Sequence, residues 1–317
     1  MVTGIDNRKR PSKVLAWLKI ARLQFYPMAW IAYSLGAACA TKHLGEFHFK
    51  PYLAGYLCLF LIELCTVLVN EYFDYETDKL NQNASIFTGG SRVLVNRLLS
   101  LREVRLGLTT VALLLIMSTI LLVRCTPDLR ASSVCWAVLL GTVLGVSYTA
   151  PPIKFCYRTL GELVVAFTHS TYVLLCGFFF QGGALNSPEP WLMSLPLCFA
   201  VLPAIILTGL PDYSADTSVL KKTIVVFFGP RKGTIIAMVC VVLAVIFSAI
   251  LTVTGVLNAS GIALLAIAAP HALILLKVLI HVYNQELFDC RIDNVMRLAL
   301  VYILWFGLVP LAGLLWR

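Results

Sequence analysis

Apolar residues along this chain run in long unbroken blocks, and the polar positions gather between the blocks instead of alternating within them. The blocks fall near 24–41, 52–71, 106–123, 133–150, 160–181, 191–211, 234–256, 260–282 and 298–316. Each is close to the roughly 20 residues that a helix needs to cross bilayer hydrocarbon. An apolar stripe every three or four residues would mark a helix packed on a soluble core, whereas apolarity on all faces predicts helices set among lipid and one another. The expected fold is all-α: a polytopic membrane protein of nine transmembrane helices. A cytoplasmic basic arm at 1–23 precedes a single domain at 24–317.

Composition sharpens this. Of 317 residues, 59% are hydrophobic and 13% charged, with mean hydropathy +0.86. A soluble domain carries about 25% charged residues, so these charges are too few to cover a water-facing surface. The net charge of +9 raises the question of nucleic acid, and the distribution of the 25 Lys and Arg answers it. The arm holds Arg8, Lys9, Arg10, Lys13, Lys19 and Arg22, and alternate gaps are also basic, so that 20 of the 25 share one side of the membrane if Lys277 snorkels to that side. By the positive-inside rule the amino terminus is cytoplasmic and the carboxyl terminus is not. The basic excess thus sets orientation in a lipid bilayer and predicts no nucleic-acid partner. The stretch Ala37-Ala38-Cys39-Ala40 also reads as a signal-cleavage site, but removing the first block would break the charge alternation. The ten Cys include no C-x-x-C pair and read as small packing residues.

The acids are concentrated. The second block ends Asn70-Glu71-Tyr72-Phe73-Asp74-Tyr75-Glu76-Thr77-Asp78, four carboxylates where an apolar helix reaches the interface. In a continuing helix, Asn70, Asp74 and Asp78 share one face, and stacked like charges repel unless a cation binds between them. Oxygen ligands select magnesium or calcium, and a sparse site open to solvent suits magnesium, which shares its shell with waters and substrate phosphate. The sixth block ends with Asp212 and Asp216, another i, i+4 pair on the same side. Two acidic helix ends, each followed by bases (Arg92; Lys221 and Lys222), describe a site for a magnesium-bound diphosphate. Gly89-Gly90 would let the loop turn sharply toward an anion, or serve simply as a turn. Pro151-Pro152 stiffens the loop that carries Lys154 and Arg158, and Glu162 begins the next span, where it would pair with a base or cap a helix end.

These residues resemble the UbiA superfamily of intramembrane prenyltransferases. The family pattern N-D-x-x-D-x-x-x-D is similar to Asn70 through Asp78, with Glu71 in place of the first Asp, and its second D-x-x-x-D matches Asp212 and Asp216. Tyr148, Pro151-Pro152, Lys154, Arg158 and Leu160-Gly161-Glu162 resemble the family's short loop. The resemblance implies a nine-helix bundle with a central cavity open to the cytoplasmic side. It also implies transfer of an isoprenyl chain from its diphosphate, with Mg2+ held by Asn70, Asp74 and Asp78 facing Asp212 and Asp216, the four Asp being catalytic. The run Phe87-Thr88-Gly89-Gly90-Ser91-Arg92-Val93-Leu94 looks like menaquinone-type members, whose aromatic acceptor is 1,4-dihydroxy-2-naphthoate. Members acting on 4-hydroxybenzoate commonly carry Y-x-x-x-K before the second Asp pair, where this chain has Leu207 and Pro211.

The expected mechanism is ionisation of the allylic C–O bond against a neutralised diphosphate, followed by attack of the aromatic ring. Arg92, Lys154 and Arg158 would hold the diphosphate, with Lys221 or Lys222 replacing the missing family lysine. Tyr72, Tyr148 and Tyr213, with Tyr75, are candidates to shield the cation, or else interfacial belt residues. His169, within the fifth block, would be either an acid or base facing the acceptor or a hydrogen-bonded structural residue. Three alternatives share some of these features: another aromatic acceptor, a membrane terpene cyclase of the same superfamily, and a transporter. A transporter predicts acids at the bilayer midplane, whereas here they gather at helix ends.

Overall fold

The structure, a computed structural model, describes residues 12–316, so Arg8, Lys9 and Arg10 of the basic arm, and Arg317, lie outside the described residues. Every regular element among the described residues is helical. In chain order they are α1 (Lys13–Ile20), α2 (Tyr26–Leu44), α3 (Phe49–Phe73), α4 (Tyr75–Leu80), α5 (Leu101–Cys125), α6 (Ala131–Val146) and α7 (Gly161–Phe180). They continue with α8 (Pro188–Thr208), α9 (Tyr213–Ser218), α10 (Ile224–Phe228), α11 (Pro230–Val253), α12 (Asn258–Asn284) and α13 (Asp293–Leu315).

Seven of these, α3, α5, α7, α8, α11, α12 and α13, are long and apolar enough to cross a membrane. The predicted runs at 24–41 and 133–150 hold α2, of 19 residues, and α6, which is apolar but only 16 residues long. Local chemistry sets the ends. Pro27 stands in the first turn of α2, where a missing N–H removes no helical bond. Ser100 and Glu103 close a capping box at the start of α5: Glu103 N–H donates to Ser100 Oγ at 3.3 Å and Ser100 N–H to Glu103 Oε2 at 2.7 Å. α6 stops earlier than its apolar run because residues 147–152 turn toward Pro151-Pro152.

α2 packs against α7 and α13, α8 against α7, α11 and α13, and α12 against both α11 and α13, so the first and last long helices are neighbours. α3 packs against α5 and α6. Leu113, Ile116, Met117 and Ile120 of α5, with Ile262 and Leu273 of α12, are more than half exposed. So much outward apolar surface is stable in lipid and not in water.

The crossing of α2 and α7 depends on two glycines. A Cβ on Gly36 would lie 1.9 Å from the Leu174 carbonyl oxygen, and one on Gly177 would lie 2.0 Å from that of Tyr33. Without a large hydrophobic drive between helices in lipid, such close backbone approach is what holds them. Ala37, Cys39 and Ala40 are buried beside Gly36, so the small residues that resemble a cleavage signal form a packing face. Gly177→Val is expected to lower the melting temperature in detergent, since overpacking against backbone costs about 1–3 kcal/mol or more. An unchanged melting temperature would contradict this account of the crossing.

Candidate active site

At the end of α3 the helix bends without breaking its ladder. Asp74 leaves helical geometry (φ −89°, ψ 6°), yet its N–H donates to Asn70 O at 2.8 Å, and Asp78 N–H donates to Asp74 O at 2.8 Å. Asn70, Asp74 and Asp78 therefore stand on successive turns. Glu71 turns elsewhere: its buried carboxylate accepts from Ser91 N–H at 2.5 Å and from Ser91 Oγ–H at 2.6 Å. It anchors the glycine loop. Gly90 has φ +66°, and a Cβ there would fall 2.0 Å from Asp78 Oδ2, so the carboxylate rests on bare backbone that only glycine provides. Arg92 donates to the carbonyl oxygens of Asp78 and Asn81, closing the end of α4, and Arg22 Nη2 donates to Phe87 O at 2.9 Å from the other side of the loop.

The second acidic end follows α8. Asp216 N–H donates to Asp212 O at 2.8 Å, which sets the two Asp one turn apart. Asp212 Oδ1 accepts from Asn81 Nδ2 at 2.5 Å, a direct link to the segment after α4. Leu220 takes a left-handed φ of 58°, and the chain doubles back so that Lys221 N–H donates to Asp216 O at 2.9 Å. Lys221 Nζ then lies 3.1 Å from Asp74 Oδ2 and 3.5 Å from Asp216 Oδ1. The three side chains are only 12%, 6% and 4% exposed, so this is an interior triad joining two helix ends distant in sequence. Asn70 Oδ1 and Asp74 Oδ1 are buried beside it without a hydrogen-bond partner. Orphaned acceptor oxygens next to acids fit a divalent cation, which needs oxygen ligands and no donor hydrogen.

The other predicted bases make their own contacts and form no ion pair with these acids among the described residues. Lys154, at φ 49°, places Nζ 4.8 Å from the centre of the Tyr157 ring. Arg158 is exposed and donates to Pro152 O at 3.2 Å, and the exposed Lys222 presents its carbonyl to Thr159 N–H at 2.7 Å. That last bond ties the Pro-Pro loop to the Lys221 turn. Glu162 caps the amino end of α10 through Ile224 N–H at 2.7 Å and makes no ion pair with a loop base among the described residues. Tyr148 lies within electrostatic reach of Lys221, Glu162 and Asp74. Tyr72 is half-buried with its ring edge-on to Phe73, and Tyr213 is half-buried at the start of α9. Two lacing groups had no sequence signal beyond residue type. One is Asn81; the other is Asp289, which accepts from Ser214 Oγ–H at 2.6 Å while its carbonyl accepts from Asn83 Nδ2 at 2.8 Å.

The sequence profile of the UbiA prenyltransferase family matches residues 29–301. The chain belongs to this family. It is 24% identical to the 1,4-dihydroxy-2-naphthoate octaprenyltransferase of Bacillus subtilis (strain 168) over 201 residues, spanning 62% of this chain and 61% of that protein. It is also 24% identical to the 2-carboxy-1,4-naphthoquinone phytyltransferase of Synechocystis sp. (strain ATCC 27184 / PCC 6803 / Kazusa), over 96% of this chain and 95% of the relative. In fold it is similar to a UbiA homologue from Archaeoglobus fulgidus bound to DMAPP and Mg2+, with TM-score 0.62 at 17% identity, covering 93% of this chain and 99% of that one.

Proton affinities in this cluster of the UbiA-family chain follow its burial. Burial, then the charge of Asp216, pushes Asp212 up to about 7, against the pull of Lys221 and Asn81. Burial also raises Asp216 and, joined by Glu71 and Asp74, raises Asp78 well above the usual carboxylate range. For Lys221, burial works to lower the value, but Asp74 and Asp216 outweigh it and hold the ammonium charged. The folded protein therefore binds more protons than the unfolded chain between the ordinary Asp value, about 4, and about 7. This contribution to stability is full below about 4 and is lost as pH rises to about 7. Asp212→Asn is expected to flatten that decline in a series of metal-free melting curves from pH 4 to 8; an unchanged slope would contradict it. Lys221→Ala removes one partner of a buried ionic group and is expected to destabilise the metal-free protein by about 3–5 kcal/mol, read as a lower melting temperature. A melting temperature equal to wild type would show that the triad is not load-sharing.

Proposed function

We propose that this protein transfers an isoprenyl chain from a prenyl diphosphate to an aromatic acceptor, and that the acceptor is 1,4-dihydroxy-2-naphthoate in menaquinone biosynthesis. The observation that carries the reading is the triad of Asp74, Lys221 and Asp216, with the orphaned oxygens of Asn70 and Asp74 beside it. Two acidic helix ends brought to one point around a cation suit a diphosphate whose charge must be neutralised before its bond to carbon breaks. The naphthoate and naphthoquinone relatives support this acceptor class, and the DMAPP and Mg2+ of the Archaeoglobus neighbour support the donor and metal.

In this reading Asn70, Asp74 and Asp78 hold Mg2+ from one side and Asp212 and Asp216 from the other. When bound there, the metal supplies positive charge to the departing diphosphate oxygens. The protein's own residues do the rest. Lys221 offers a fixed ammonium at the centre, while Arg158, Lys154 and Lys222 at the rim meet the incoming anion. Arg92 and Glu71 act indirectly, keeping the glycine loop against Asp78. Tyr148, which burial holds as a neutral phenol, offers a π face to the allylic cation without the phenolate that the cation would alkylate. The nine helices that fill the predicted runs all span the bilayer, and the amino terminus with the site faces the cytoplasm, as the Lys/Arg distribution supports. Intramembrane placement follows from the donor, since each CH2 taken out of lipid costs about 0.8 kcal/mol.

A matrix of prenyl diphosphates against aromatic acceptors, with purified protein, Mg2+ and mass spectrometry, tests the function. Prenylated naphthoate is the expected product, and hydrocarbon formed from the donor alone would replace the reading with terpene cyclisation. Asp74→Asn or Asp212→Asn is expected to lower turnover at least about 100-fold at saturating Mg2+ in protein that remains folded, as for loss of a charge-stabilising group. Retained turnover in either would overturn the metal bridge.

A further inference from the structure

Two ionisable groups lie deeper in the bundle than the site described so far. Glu63 precedes Asn70 by seven residues on α3, and His169 follows Glu162 by seven on α7. Seven residues are two turns, so each stands above a site residue on its own helix, about 10 Å further in. The two meet: His169 Nε2 is 3.9 Å from Glu63 Oε1. Protein surrounds both side chains, yet Glu63 keeps 13% and His169 25% of its side-chain surface accessible.

Their hydrogen bonding is incomplete in a specific way. His169 Nδ1 lies 3.1 Å from Val165 O. A carbonyl only accepts, so in the neutral ring Nδ1 carries the proton and Nε2 presents its lone pair toward Glu63. The separation of 3.9 Å is too long for a hydrogen bond, and among the described residues Glu63 makes none. Tyr26, within electrostatic reach of Glu63, has a buried hydroxyl without a partner among the described residues, and Tyr56 lies within the same reach. α7 is also distorted here. A π turn over Thr168–Tyr172 interrupts the α-helix, with Thr168 Oγ and Ser170 Oγ donating to Val164 O and Ala166 O. Such turns recur at functional positions, and ionisable groups at membrane depth persist where they serve chemistry. Glu63 and His169 approach without bonding each other, so Nε2 and the Glu63 oxygens all keep acceptor lone pairs for a hydroxyl donor placed beside them.

We propose that Glu63 and His169 receive the hydroxyl of the aromatic acceptor and take its proton during prenyl transfer. This rests on the aromatic prenyl transfer proposed above. As the allylic C–O bond breaks, its electron pair leaves with diphosphate, and a ring carbon of the acceptor supplies the pair for the new C–C bond. The hydroxyl proton passes to His169 Nε2, and the Glu63 carboxylate stabilises the imidazolium. The ring is then a ketone that still bears a hydrogen on its alkylated carbon. Loss of that hydrogen to water, and return of the imidazolium proton to oxygen, restores the aromatic hydroxyl. One proton is released per diphosphate, and no oxidant or reductant is required.

The test uses the full chain, geranylgeranyl diphosphate, Mg2+ and two ring probes, 1,4-dihydroxy-2-naphthoate and its 1,4-dimethoxy ether. His169→Leu is expected to lower kcat at least about 100-fold, the usual span of general acid–base help, with donor KM within about twofold of wild type. Glu63→Asp is expected to keep more activity than Glu63→Gln. Wild type is expected to bind the hydroxylated ring at least tenfold more tightly than the ether, a preference that His169→Leu and His169→Asn both lose. Thermal stabilisation by donor and Mg2+ confirms that each variant is folded. Wild-type kcat in His169→Leu and Glu63→Gln, or an undiminished preference for the hydroxyl, overturns this assignment and leaves the prenyl transfer standing. Failure of the wild-type protein to prenylate any hydroxylated aromatic overturns both.

Discussion

An ammonium held between two carboxylates that lie far apart in the sequence is the constraint on which the rest of this structure turns. Lys221 touches Asp74 at the end of α3 and Asp216 in α9, and none of the three is more than 12% exposed. Removing a charge from water is expensive, and the expense is met only when opposite charges stay close and well placed. The helices that carry these groups must therefore arrive at one point with small tolerance. The glycine loop, held by Glu71 through Ser91 and by Arg22 through Phe87, presses backbone against Asp78. Asp289 binds the segment before α13 to those around Asn83 and Ser214. Loops that would otherwise be free are laced into a floor beneath the bundle.

Above that floor, lipid changes which forces hold helices together. The middle turns of α5 turn Leu113, Ile116, Met117 and Ile120 outward, as α12 does Ile262 and Leu273, and hydrophobic burial between helices gains little when the alternative is hydrocarbon. Close backbone contact at Gly36 and Gly177 takes over that role. The same apolar interior makes every polar group within it conspicuous, and Glu63 and His169 stand out for this reason: they are two turns above the floor, paired but not bonded. Charge at the floor suits the departure of an anion. A proton acceptor further in suits the other reactant.

Much of this was legible in the residues themselves. Nine apolar runs each hold a helix, because a block about 20 residues long has few folded alternatives in a membrane. The two acidic helix ends were readable as partners because i, i+4 carboxylates are unfavourable alone, and the structure brings Asn81 and Lys221 across to them. What was not legible were individual bonds across the fold. Arg92 follows the first acidic cluster in sequence but gives its donors to the carbonyls of Asp78 and Asn81, from a left-handed backbone position of its own. Glu71, conservative in charge with the family's Asp, has the one extra methylene and binds Ser91. His169 meets Glu63 from within a π turn, which no periodicity announces.

If the two acidic helix ends act as one receptor for a cation and a diphosphate together, the two ligands bind cooperatively. The most direct measurement is calorimetric titration of Mg2+ into the purified metal-free protein, with and without an unreactive prenyl thiolodiphosphate. Because coupling between ligands is reciprocal, the account predicts that each tightens binding of the other by the same factor, and that Asp216→Asn abolishes the coupling. Independent binding of the two ligands to the wild-type protein would contradict it.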